Sequence, residues 1–260
     1  SPDAAGIGVG LQFFPLERTG PAPPTNCSSD AECGLYGPCV PMLNQCSGAF
    51  TNDSCDPADY EGADVPIQTL PGVQSTILST LNNASPDGDS TPTQPAFQGA
   101  TVYATDWAQA HPDHLTFIVF ATDGDPTGCT ENSVADTATL AAAAASANPA
   151  VKTFVIGVGT ELTSLDTIAS SGGTTQAYIV DTGGNVTQQF IDALNEIRAN
   201  GLCKYQIPQP TGGAQVNYDE INVSTVDPTD PTTATTVPNV GTATGCDATV
   251  GGWYYDNPTD

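Results

Sequence analysis

Leu115–Gly124 reads LTFIVFATDG. The continuous apolar run Leu115–Ala121 is the pattern of a strand covered on both faces, as in a parallel sheet. It ends by setting one carboxylate, Asp123, at the strand's C-terminal tip. Upstream, Gly88–Ala96 (GDSTPTQPA) is a Gly-led loop whose hydroxyls, Thr91 and Thr93, open a helix. A carboxylate at a strand end facing loop hydroxyls is hard-oxygen chemistry, suited to a small divalent cation.

Outward from that strand, the pattern alternates. Ile7–Phe14 (IGVGLQFF) and Val65–Leu70 are strand-like, and Pro71–Asn82 has helical spacing through Val73, Ile77 and Leu81 with Pro71 in the first turn. Pro92–Ala110 reads as a helix with Thr91 as its N-cap. Glu131–Ala147 is an Ala-rich helix stopped by Asn148–Pro149, and Val151–Val158 (VKTFVIGV) is another buried strand. Leu162–Ser170 is a short helix closed by Gly172–Gly173, followed by a strand at Ala177–Val180. Val186–Ala199 is amphipathic, with Phe190, Leu194 and Ile197 on one side and Gly201 as its stop. Strands separated by helices predict an α/β fold, a parallel sheet with helices on both faces.

Two regions break the alternation. Residues 15–63 form a Pro/Gly/Cys-rich insertion with little periodicity, expected to be loops held by disulfides. Beyond residue 200, short strand-like pieces (Lys204–Pro208, Ile221–Val226, Thr235–Val240, Trp253–Tyr255) lie among Thr, Pro and Gly. The expected organisation is an α/β domain over 1–200 and a small C-terminal β extension over 201–260.

Composition narrows the function classes. The 29 acidic residues face only Arg18, Lys152, Arg198 and Lys204, for a net charge of -25. Such a surface repels nucleic acid and anionic membranes, whose binding depends on Lys and Arg neutralising phosphates. It suits cations and high solubility. No run of about 20 apolar residues is present to span a membrane; Ser1 is followed directly by folded-looking sequence, so in an exported protein these residues are expected to be a mature or processed product. The eight cysteines are an even count in a chain of secreted composition, and read as disulfides. Cys27, Cys33, Cys39 and Cys46 cluster with spacings longer than CxxC, unlike a zinc site. Spacing leaves the pairing open; the working expectation is two bridges within that cluster, Cys55–Cys129 and Cys203–Cys246.

Five stretches together resemble the von Willebrand factor A domain, in the form found in secreted bacterial proteins. They are GIGVGLQFFP (6–15), VPIQTLP (65–71), GDSTPTQPAFQGA (88–100), LTFIVFATDGDPTGC (115–129) and KTFVIGVG (152–159), in the family's order. TELTSLDTIASSGGT (160–174) fits the next step, and the resemblance covers about residues 6–200. It implies a doubly wound, mostly parallel sheet with a metal-ion-dependent adhesion site at its C-terminal edge. There an acidic residue of a protein or surface ligand completes the coordination of Mg²⁺, Mn²⁺ or Ca²⁺. Thr91 matches the family's threonine and Asp123 its aspartate, with Thr93 and Asp125 as neighbours. The implied role is extracellular or cell-surface adhesion without enzymatic activity.

One departure stands out. The family's Asp-x-Ser-x-Ser occurs nowhere in the 260 residues. The resemblance therefore implies that the first strand and helix come from elsewhere: a precursor cut before Ile7, an N-terminal segment outside a fragment, or a companion chain. It also leaves a second role open, a structural subunit of a surface appendage or extracellular filament completed by strand donation.

Other chemistry is poorly supported. Gly157-Val158-Gly159 lacks the full dinucleotide fingerprint. There is no nucleophile elbow and no EF-hand loop. His111 and His114 (HPDH) lie in a link between helix and strand and read as solvated. Asn26, Asn52, Asn83, Asn185 and Asn222 match the glycosylation sequon, as a Thr/Asn-rich chain does by chance.

Overall fold

Both long apolar runs form strands, and they lie side by side. The computed structural model describes residues 7–85, 88–159, 162–202, 216–227, 230–242, 245 and 252–255. The chain divides into two units, Ser1–Lys204 and Tyr205–Asp260. In the first, the strands are β1 (Gly8–Leu11), β2 (Cys39–Val40), β3 (Gln45–Cys46), β4 (Val65–Thr69), β5 (Phe117–Thr122), β6 (Lys152–Val158) and β7 (Tyr178–Val180). The helices are α1 (Gln74–Asn83), α2 (Thr93–Ala110), α3 (Val134–Ala145), α4 (Asp166–Ser171) and α5 (Val186–Leu202).

The centre is a three-stranded parallel sheet in the order β5-β6-β7. Its middle strand, β6, buries Thr153 through Gly157 without a break. Strand alternation sends successive residues to opposite faces. Phe120 and Val155 pack against Phe97 of α2, Ala138 and Ala141 of α3, and Ile168 and Ala169 of α4. Phe154, Ile156 and Val180 pack against Ala193 and Ile197 of α5. Each such large side chain stabilises the fold by about 1.5–3 kcal/mol. The chain is thus mixed α/β, with helices on both faces of a parallel sheet.

Local sequence explains the helix starts. Ser133 and Asp136 form a reciprocal capping box on α3, Ser133 Oγ accepting from the Asp136 N–H at 3.2 Å and the Asp136 carboxylate accepting from the Ser133 N–H at 3.0 Å. The buried side of α3 is small (Thr137, Ala138, Ala141, Ala144), which lets it sit close to its neighbours. For α2, the expected Thr91 cap is replaced. Pro92 occupies the cap position without a side-chain bond, and the Gln94 N–H donates instead to Asn132 Oδ1 at 2.9 Å. A cap borrowed from a residue 38 positions away leaves no local signature.

Three further expectations need correction. β1 and β4 form an antiparallel pair apart from the parallel sheet, so the described strands of this unit make separate small sheets. β5 is not covered on both faces: Phe120 and Thr122 are buried, while Val119 and Ala121 are exposed. α5 runs through Gly201 to Leu202, since one glycine costs a final turn only about 1 kcal/mol.

The insertion is organised by disulfides. Cys27–Cys39 and Cys33–Cys46 tie the short β2–β3 hairpin, and the four cysteines form a small core of their own. Cys55–Cys129 staples the insertion's end to the loop after β5. Cys203 and Cys246 lie outside the described residues, as does the strand expected at Lys204–Pro208. In the second unit, β8 (Val223–Asp227) and β9 (Asp230–Val237) pair antiparallel. Trp253 bridges to Asn239, and its ring meets that of Tyr255 edge-on at 5.1 Å. Among the described residues no helix is long and apolar enough to cross a membrane.

Candidate functional site

β5 delivers Asp123 to a tight turn. The Thr122 hydroxyl donates to the Gly124 carbonyl at 3.1 Å and accepts from the Gly124 N–H at 3.3 Å. This clamp fixes the bend and leaves the Asp123 side chain exposed at its apex. No hydrogen bond to Asp123 or Asp125 comes from the described residues.

The Gly88–Pro92 loop is held against this turn from three directions. Asp53, 4% exposed, accepts at a single oxygen, Oδ2, from the Asp89 N–H (3.1 Å), the Ser90 N–H (2.7 Å) and Ser90 Oγ (2.5 Å). The Thr91 N–H donates to Thr127 Oγ1, and the Thr127 N–H returns a bond to the Thr91 carbonyl, both at 2.9 Å. Asn132 Nδ2 donates to the carbonyls of Thr91 (2.9 Å) and Thr127 (2.8 Å). Gly128, at φ +89°, is required twice over, because a Cβ there would also lie 2.6 Å from Ser90 Cβ.

These bonds place the Thr91 hydroxyl beside the Asp123 turn. A Cβ added to Gly124 would sit 3.3 Å from Thr91 Oγ1. The backbone of Thr91 is fully engaged, while its hydroxyl has no hydrogen-bond partner among the described residues. Thr93 is different: it is fully buried and its hydroxyl reaches only the Thr91 carbonyl at 3.5 Å. It anchors the loop and does not share the exposed surface with Asp123. The first N–H groups of α2 bond to the Thr91 and Asn132 oxygens, so this helix start has no spare donors for an anion.

No known family, curated protein or solved structure matches this chain. What the site can do therefore rests on its own chemistry. Thr91 and Asp123 offer oxygen donors at a strand's C-terminal end, with Asp125 one turn on. The donor type fits a hard cation; the number falls short of the six or more oxygens that Mg²⁺ or Ca²⁺ takes, so water or a partner must supply the rest.

Two other clusters are excluded as metal sites. Sulfurs of Cys27, Cys33 and Cys39 lie within 4.8 Å of one another, but all three belong to disulfides and are not thiolates. His111 stacks on Trp107 at 4.1 Å and its Nδ1 is 2.8 Å from the Trp107 carbonyl oxygen, while its ring centre is 6.2 Å from that of His114. No acid completes a three-group site with them among the described residues.

Asp53, Thr127 and Asn132 carry the geometry of the site, and sequence reasoning did not find them. Their partners in the loop at the start of α2 lie 36–41 residues away, so no spacing motif announces them. Asn132 stands just before the Ser133 cap, where an Asn reads as ordinary turn chemistry.

Proposed function

We propose that this chain is an extracellular domain of the von Willebrand factor A type, whose Asp123 and Thr91 help to hold a divalent cation that binds an acidic group of a protein or surface ligand. The observation that supports this reading is that an exposed carboxylate, Asp123, ends β5 in a turn whose next residue, Gly124, lies beside the Thr91 hydroxyl. Ligands of open α/β sheets bind outside the carboxyl ends of the strands. Asp123 would supply charge and Thr91 a neutral oxygen, leaving coordination positions for a ligand carboxylate. The three disulfides suit an oxidising compartment.

The test is titration with Mn²⁺ alone, read by calorimetry on the intact chain. Asp123→Ala should weaken the tightest site at least tenfold, a loss of about 1.4 kcal/mol. The exposed Asp106 of α2 supplies the control, because 29 acidic residues also attract Mn²⁺ weakly and diffusely. Equal titrations for wild type, Asp123→Ala and Asp106→Ala would reject the proposal.

A further inference from the structure

The loop that carries Thr91 is gripped from two sides, and a covalent bond joins the two grips. On one side Asp53 accepts from the N–H groups of Asp89 and Ser90, at 3.1 and 2.7 Å, and Cys55 follows two residues later. On the other side Thr127 exchanges two bonds with Thr91, both at 2.9 Å, and Cys129 again follows two residues later. Gly128 lies so close to the loop that a Cβ there would come 2.6 Å from Ser90 Cβ. The Cys55–Cys129 bridge closes this ring, with Cys55 Sγ 3.6 Å from the Gly128 carbonyl oxygen.

The bridge is shielded. Cys55 is 3% exposed and Cys129 7%. Reduction requires a thiolate to reach one of the two sulfurs, so the 53–55 and 127–129 arms must part first. Parting them undoes the same contacts that set Thr91 beside the Asp123 turn, where a Cβ on Gly124 would lie 3.3 Å from Thr91 Oγ1. Cys27–Cys39 and Cys33–Cys46 differ in this respect, since they hold the β2–β3 hairpin together and join neither arm.

We infer that cation binding and the Cys55–Cys129 bond are thermodynamically linked: the closed bridge favours the cation, and the bound cation shields the bridge from thiol reduction. This linkage rests on the cation reading of Asp123 and Thr91 given above, and adds a thiol-dependent control to that site. A cation spanning Asp123 and Thr91 needs the arms closed, so it lowers the population of the parted form that a thiol attacks. Coupling between two equilibria is reciprocal, so losing the bond weakens the cation site in turn. The reductant is a dithiol. One thiolate attacks the sulfur of Cys129, the more exposed residue, and Cys55 leaves as a thiolate. The second thiol then displaces Cys129 and closes the reductant's own disulfide, so that two electrons and two protons pass to the protein.

The test follows reduction of the intact oxidised chain by dithiothreitol, with and without Mn²⁺ at about ten times the Kd found by calorimetry. Samples are quenched with iodoacetamide, and each bridge is followed by peptide mass. Cys27–Cys39 in the same sample corrects for any reductant lost to the metal. Relative to that bridge, Mn²⁺ should slow the opening of Cys55–Cys129 about tenfold, the factor expected when attack passes through the parted form. Asp106→Ala should keep this protection and Asp123→Ala should lose it. An unchanged ratio of the two rates in wild type would overturn the linkage, as would equal protection in Asp123→Ala. Calorimetry on wild type and Asp123→Ala separates the two ideas. An Asp123-dependent site with an unprotected bridge removes the linkage alone, whereas the absence of such a site removes the cation reading and the linkage with it.

Discussion

Asp53 illustrates how much of the candidate site depends on a residue that would never touch a ligand. Its carboxylate collects three bonds from the loop that carries Thr91. Asp53→Ala leaves those donors without their acceptor, at a cost of about 1–3 kcal/mol in urea unfolding. On the proposed reading it also lowers Mn²⁺ affinity while Asp123 is intact, because Thr91 loses its fixed position. Tyr60 is a second buried anchor. Its hydroxyl donates to the Ser54 carbonyl at 2.8 Å and accepts from the Leu16 N–H at 3.2 Å. Burial pushes its pKa well above the ordinary phenol value, partly offset by the Leu16 bond. A raised folded-state pKa means that the neutral group's contribution is complete below the unfolded value near ~10 and is lost as pH climbs beyond it. The stability difference between wild type and Tyr60→Phe should stay level from about pH 7 to 9 and shrink above about pH 10. A difference that grows at alkaline pH would contradict the assignment.

Elements meet through specific residues too, and Gly99 is the tightest of these contacts. It lets the Pro57–Tyr60 turn lie directly on α2, where a Cβ would come 2.4 Å from the Tyr60 carbonyl carbon and 2.6 Å from the Pro57 oxygen. Gly99→Ala would gain about 1 kcal/mol of helix propensity. The backbone clash should outweigh it, giving a net loss of about 1–3 kcal/mol in thermal or urea unfolding. Elements of this kind were only partly legible. Periodicity located β5, β6 and the helices, because each carries its own apolar pattern. The pairing of Cys55 with Cys129 also matched the working expectation. The open face of β5 was not legible, since FIVFAT looks the same whether or not a neighbour covers it. The Thr91 and Asp123 positions could be read from their loops, whereas the Asn132 cap and the Asp53 anchor could not, because both act across long sequence separations.

At the scale of the whole molecule, one covalent tie joins the insertion to the sheet. Cys55–Cys129 spans 74 residues, and in the chain-entropy account such a bridge contributes about 4 kcal/mol. The paired Cys55→Ser, Cys129→Ser variant should lose stability on that scale. It should also loosen Thr127 and Thr130, whose bonds to Thr91, Gly34 and Gly37 connect the two regions. Equal unfolding midpoints for this variant and wild type would refute that role. The β2–β3 hairpin has a consequence of another kind. Met42 at its tip is 94% exposed, the natural place for a protease to enter. A cut there falls between Cys33 and Cys46, so the severed ends remain bonded to each other. Clipped protein would run as one piece until reduced and as two afterwards, so a sample that looks whole could already have been opened at this exposed loop.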